Sequence, residues 1–230
     1  MSRARQGAQA PVDTAAADRY VYERQAQSEG FRAVVGVDEV GRGTLAGPVV
    51  AAAVRLPAGG ISLPLDDSKA LRPRQREALA AALLRTPGVV AAIGAVSAAR
   101  IDEINILRAT VEAMQQALDC LGGLADYALV DGLPLRGLPV PAAFIVHGDA
   151  RSASIAAASI VAKVYRDALM VRLAAAYPGY GFERHKGYAT GEHRAALARL
   201  GPCSLHRRSF APVAQVLDRR QRQPELPLGA

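Results

Sequence analysis

The chain has 230 residues, half of them hydrophobic but only 5% aromatic and none Trp, with 28 Lys and Arg against 21 Asp and Glu. This is too apolar for a wholly disordered chain, and 21 Gly, 14 Pro and 2 Cys exclude collagen-like and disulfide-rich scaffolds. The formal charge of +7 suits solubility alone, a polyanion such as nucleic acid, or an anionic membrane surface.

Residues 1–14 are small and polar without periodicity, and read as a disordered extension. A short helix is expected from Ala15 to Ser28, closed by Gly30. The apolar, β-branched run Ala33 to Val37 predicts a strand that ends at Asp38-Glu39. A second run, Pro48 to Val54, follows Gly41-Arg42-Gly43, so the two strands predict an antiparallel hairpin with a wide turn. The pattern then switches to a helix over Pro73 to Arg85, a strand over Val89 to Val96, and one long amphipathic helix from Ile101 to about Leu121. Tyr127 to Val130 reads as a strand ending at Asp131-Gly132, and Phe144 to Val146 as another ending near Gly148-Asp149. An Ala-rich helix over Ser154 to Ala175 and two shorter ones, Gly191 to Arg199 and Phe210 to Asp218, close a domain spanning 15–220, with 221–230 as a flexible tail. This order predicts an α/β fold, a central mixed β-sheet flanked by helices on both faces.

The longest uncharged stretch, Thr86 to Ala99, has 14 residues, short of the roughly 20 a membrane-spanning helix needs. No apolar run follows Arg3 and Arg5, so no secretory signal is read there. Cys120 and Cys203 are expected as reduced, unpaired thiols, as in a cytoplasmic protein.

The informative pattern is where the acids fall. Asp38-Glu39, Asp131 and Asp149 each stand at or just beyond the end of an expected strand. Singly, each has an ordinary explanation: Asp-Gly is a turn dipeptide, and an acid before a helix favours its dipole. Jointly, on adjacent strands, they would converge in one cleft, where several carboxylates call for hard cations such as Mg²⁺ or Mn²⁺. Two such ions support phosphoryl transfer. The glycines at 36, 41 and 43 are not a dinucleotide fingerprint, because Ala46 stands where the third glycine belongs and a strand follows.

Taken in order, GVDEVGRGTLAGPVVAAAV, DSKAL, LVDG, HGDARSASIAAASIVAKVYRD, HKGYAT and HRRSFAPV resemble the bacterial ribonuclease HII family (type 2 ribonucleases H) over roughly residues 20–217. The resemblance implies an RNase H-like fold with a C-terminal helical extension. It implies an endonuclease that cuts the RNA strand of RNA:DNA hybrids, and 5′ of single ribonucleotides embedded in duplex DNA, leaving 3′-OH and 5′-phosphate ends. Such an activity belongs to ribonucleotide excision repair and DNA replication. The family's catalytic, metal-binding acids fall on Asp38, Glu39, Asp131 and Asp149, for Mn²⁺ or Mg²⁺. Its 2′-OH-reading element falls on Gly41, Arg42 and Gly43, its junction-sensing tyrosine on Tyr188, and its phosphate-side loop lysine on Lys69. His147 stands where the family usually has Lys, and Ala189 where Gly or Pro is usual.

Further phosphate contacts are expected from Lys163, Lys186, Arg207 and Arg208, and His185 and His193 are expected at the surface or on the phosphate side. A monomer with no membrane partner is expected. Gln223 to Leu228 resembles a degenerate sliding-clamp-binding peptide without its final aromatic.

Overall fold

The computed structural model describes residues 18–65 and 72–222. Lys69, the 1–14 extension and the clamp-like peptide at 223–228 lie outside the described residues.

Five strands form one mixed sheet: β1 (Val34–Val40), β2 (Val49–Arg55), β3 (Val90–Val96), β4 (Tyr127–Asp131) and β5 (Ala142–Ile145), in the order β3-β2-β1-β4-β5. The expected hairpin is present, with β1 antiparallel to β2 and Asp38 opposite Ala52. β3 adds to β2 antiparallel, while β4 and β5 run parallel to β1. The strands that carry Asp131 and Asp38 therefore lie side by side.

Helices cover both faces, as the alternating pattern predicts. Before the sheet comes α1 (Val21–Ser28), and α2 (Pro73–Arg85) links β2 to β3. On one face α3 (Ala98–Ile104) and α4 (Ile106–Asp119) precede β4, with Met114, Ala113 and Ala117 packed on Val35, Val37 and Val130. On the other, after α5 (Gly148–Arg151), lies the 22-residue α6 (Ala153–Ala174). Its buried alanines let it lie close on β1 and β2, so close that a Cβ on Gly36 would stand 2.0 Å from the Ser154 carbonyl carbon. The alanine richness of α6 thus serves a thin helix-on-sheet contact.

The C-terminal part is α7 (Phe182–His185), α8 (Gly191–Leu200) and α9 (Ala211–Arg222), the last running four residues beyond the Asp218 expected. Among the described residues no helix is long and apolar enough to cross a membrane.

Three expectations need correction. The single helix over 101–121 is two, because Asn105 at φ 69° breaks it and its side chain accepts the Arg108 N–H at the start of α4. The apolar repeat crosses the break in step, which hides it from periodicity. Strand β1 does not end at Asp38-Glu39; it continues to Val40, so both acids sit within the β1–β2 ladder. The helix expected over 15–28 is helical only from Val21 among its described residues.

Candidate active site

Strand alternation decides where the acids point. Gly36 faces α6 and Val35 and Val37 face α4, so Asp38 faces α6 and Glu39 the opposite side. On β4, Leu129 packs with Ile155 of α6 while Val130 packs with the α4 cluster, which puts Asp131 on the same face as Asp38. Val37 pairs with Val130 in the parallel register, so Asp38 and Asp131 are the next residues on adjacent strands. Asp131 Oδ1 accepts the Gly148 N–H at 2.6 Å, and the next residue is Asp149, in the first turn of α5. The guanidinium of Arg19 donates to the Asp149 carbonyl and to the carbonyl of Leu65, joining α5 to the β2–α2 connection.

These carboxylates are costly as they stand. Asp38 is buried, accepts from Ser159 of α6, and its Oδ1 accepts the Glu39 N–H at 2.7 Å. Burial first, then the charges of Glu39 and Asp131, hold its carboxyl well above the usual range. Burial also raises Glu39, opposed by Arg42, whose guanidinium lies 3.2 Å away. Among the described residues no group of three or more His, Cys, Asp or Glu side chains stands already arranged to hold a metal ion.

The turn after β1 is held from beneath by two arginines that sequence reasoning placed elsewhere or overlooked. Arg207, expected at phosphates, is fully buried. It donates to the carbonyls of Gly41 (2.6 Å), Arg42 (2.8 Å) and Gly47 (2.9 Å). Burial and the neighbouring charge of Arg166 lower it to about 9, so it stays cationic at neutral pH. Arg166 of α6, also fully buried, donates to Pro48 O, Ala46 O, Thr44 Oγ1 and Lys186 O. Gly41, at φ 92°, has no room for a side chain, since a Cβ would stand 2.2 Å from Arg166 Nε. Gly43 differs: a Cβ there would meet nothing within 4 Å, so its outer side is open.

Tyr188 is brought beside this turn. The Leu45 N–H donates to Gly187 O at 2.8 Å, and a Cβ on Gly187 would stand 2.3 Å from Ala46 O. The Tyr188 ring is half-exposed, with Lys163 Nζ 5.5 Å from its centroid. Ser159, which touches Asp38, lies one helical turn before Lys163, which touches Tyr188, so the two positions on α6 are roughly 6 Å apart along its axis. A groove of about 840 Å³ runs on from Tyr188, lined by Lys163, Arg76, Arg172, Arg184 and Lys186 with Asp167 and Glu77.

The remaining expectations divide. Lys163 is only partly buried and pairs with Asp167 at 2.7 Å; Lys186 donates to the Glu183 carbonyl, and Arg208 is exposed. His147, at φ 56°, is exposed on the turn before α5. His185 and His193 are not at the surface: both are buried and their rings stack at 4.3 Å. Both cysteines are free, Cys120 exposed and Cys203 partly buried.

A β1–β4 carboxylate pair on a five-stranded mixed sheet, with α6 across its face, defines a nuclease of the RNase H-like fold. The crystal structure of ribonuclease H2 from Pyrococcus horikoshii OT3 superposes with a TM-score of 0.70 at 25% identity, covering 82% of this chain and 98% of that one. Bst-RNase HIII in complex with Mn²⁺ shares the fold at 20% identity and a TM-score of 0.68, over 82% of this chain and 70% of its own. The family model for Ribonuclease HII matches residues 35–213. Ribonuclease HII of Chlamydia trachomatis serovar A is 54% identical over 198 residues, 86% of this chain and 91% of that protein. The chain belongs to the ribonuclease HII family.

Proposed function

We propose that this ribonuclease H cleaves the RNA strand of RNA:DNA hybrids, and cleaves 5′ of single ribonucleotides embedded in duplex DNA, with Asp38, Glu39, Asp131 and Asp149 as its catalytic carboxylates. The observation that carries the reading is the pairing of Asp38, buried, and Asp131, partly buried, at adjacent positions of parallel strands and on the same face.

The donors present fit Mg²⁺ or Mn²⁺. All four are carboxylate oxygens, and the like charges that raise Asp38 are an excess a cation relieves. Mg²⁺ commonly takes one or two carboxylates and completes its shell with water and substrate phosphate, so a closed protein cage is not required. Two such ions would supply an activated water and neutralise charge on the leaving oxygen. Asp38 and Asp131 would hold them jointly, Glu39 from the α4 side of β1 and Asp149 from α5.

The chain's own groups do the positioning. Gly43 gives a backbone approach with open space above it, suited to reading a ribose 2′-OH, the group that tells RNA from DNA. Arg42, exposed beside Glu39, would reach the sugar-phosphate backbone. Tyr188 would pack on the deoxyribose that follows the ribonucleotide, where a 2′-OH would clash. Lys163 and the groove beyond would take backbone phosphates of the duplex. Lys69 would do so as well, and the 223–228 peptide would engage a sliding clamp.

The test is cleavage of a ribonucleotide-bearing duplex by Asp131→Asn with Mg²⁺ or Mn²⁺. The reading expects loss of cutting by at least about a thousandfold with duplex binding retained. Cutting at the wild-type rate would remove Asp131 from the mechanism.

A further inference from the structure

Three histidines the mechanism does not use form a buried cluster beneath Tyr188. His193 stacks on His185, and His193 Nε2 lies 3.1 Å from His206 Nε2. His206 belongs to the segment that pairs with the turn after β1, through a bridge to Ala46. The next residue, Arg207, holds the Gly41 and Arg42 carbonyls.

Backbone groups fix every proton in this chain of contacts. The Cys203 N–H donates to His206 Nδ1 at 3.0 Å, so that nitrogen is an acceptor and the neutral ring carries its proton on Nε2. His206 Nε2–H therefore donates to His193 Nε2, which leaves the His193 proton on Nδ1. His193 Nδ1–H in turn donates to the Tyr188 carbonyl at 2.9 Å. The third ring follows the same logic: the Gly187 N–H donates to His185 Nδ1 at 3.2 Å, and His185 Nε2–H donates to Tyr180 O. A single tautomer satisfies each ring, and burial keeps His193 and His206 neutral.

The geometry points to His193 and His206 as positioning residues that fix the backbone of Tyr188 relative to the Gly41-Arg42-Gly43 turn. The route is continuous: Gly41 and Arg42 carbonyls, Arg207, its neighbour His206, then His193, then Tyr188 O. Arg166 makes a second tie between the same parts, from Thr44 and Ala46 to Lys186 O. One group would read the ribose and the other the sugar after it, so their separation sets which RNA–DNA junction is accepted. The inference rests on the proposed role of Tyr188.

Amide substitutions separate positioning from filling space. In His193→Asn the amide nitrogen stands where Nδ1 stands and still donates to Tyr188 O. In His193→Gln it stands where Nε2 stands, and the bond is lost at similar volume. The readout is the ratio of kcat/KM on a duplex with one ribonucleotide to kcat/KM on a longer RNA:DNA hybrid. His193→Gln is expected to lower the ratio at least tenfold, as Tyr188→Ala does, and His193→Asn to stay within threefold of wild type. If Tyr188→Ala is selective and His193→Gln is not, the positioning role is wrong while the reading of Tyr188 stands. If Tyr188→Ala keeps the wild-type ratio, the Tyr188 reading falls and takes this inference with it.

A second measurement does not depend on variants folding. The chain has four histidines, so imidazole ¹⁵N spectra of the wild-type protein can be assigned one ring at a time. A neutral Nδ1–H form for His193 and a neutral Nε2–H form for His206 at pH 7 are expected. The opposite tautomer at either ring would overturn the proposal.

Discussion

The guanidinium of Arg207 lies 2.6 Å from the carbonyl oxygen of Gly41, although 166 residues separate them in the chain. That bond joins the C-terminal segment to the turn that leaves the acid-bearing strand. The same guanidinium holds the Arg42 carbonyl, while a Cβ on the next residue, Gly43, would meet nothing within 4 Å.

Replacing Arg207 by Met takes the donor from the carbonyls of Arg42 and Gly47, each costing about 1–3 kcal/mol when left buried and unpaired, while Gly41 O keeps the Thr44 hydroxyl. Denaturant unfolding should show a loss of at least about 2 kcal/mol in all. Arg207→Lys, which keeps the charge but not the fork, should recover only part of it. Because Arg207 is buried, neither change should alter the salt dependence of duplex binding. Lys163→Ala should instead reduce the log–log salt slope by about 0.9. A slope that moves with Arg207→Lys and not with Lys163→Ala would reverse the assignment.

Asp38→Asn should abolish cleavage and stabilise the metal-free protein at neutral pH. The folded state raises the Asp38 pKa, so between the ordinary carboxylate range and the raised value the folded chain binds more protons than the unfolded one. Stability from this group therefore falls as pH rises through that window, and Asn removes the penalty. Each 1 kcal/mol relieved reads as about 2–4 °C in Tm. The gain should shrink toward pH 4, and a lower Tm for the variant at pH 7 without metal would contradict it.

His206 works in the opposite sense. Burial, then the neighbouring His193, lower it to about 4 from an ordinary 6.5. Its stabilising effect is full above pH 6.5 and is lost as pH falls toward 4, amounting to about 3 kcal/mol. Unfolding free energy measured from pH 7 to 4 should fall less steeply in His206→Gln, whose amide does not titrate. Equal slopes would mean that His206 is not the group being protonated.

Much of this was legible from the chain. Val34, Val35 and Val37, or Leu129 and Val130, announce strands because a buried sheet admits little else, and acids directly after such runs stand out. Helices α5 and α7, of four residues each, are too short for any periodicity to mark. Arg207 misleads for a different reason: a charged side chain reads as surface until a distant turn supplies carbonyls to bury it against. The histidines are similar, since only the fold brings His193 and His206 to 3.1 Å. Ser159 and Arg166 carry no sequence signal in an Ala-rich helix, yet they touch Asp38 and the turn after β1.

The most direct test maps the cut on a duplex containing one ribonucleotide, with and without Mg²⁺ or Mn²⁺. The account predicts a single metal-dependent nick 5′ of the ribonucleotide, leaving 3′-OH and 5′-phosphate ends, and none in the all-DNA duplex. A cut 3′ of the ribonucleotide, equal nicking of all-DNA duplex, or cutting that persists in a chelator would contradict it.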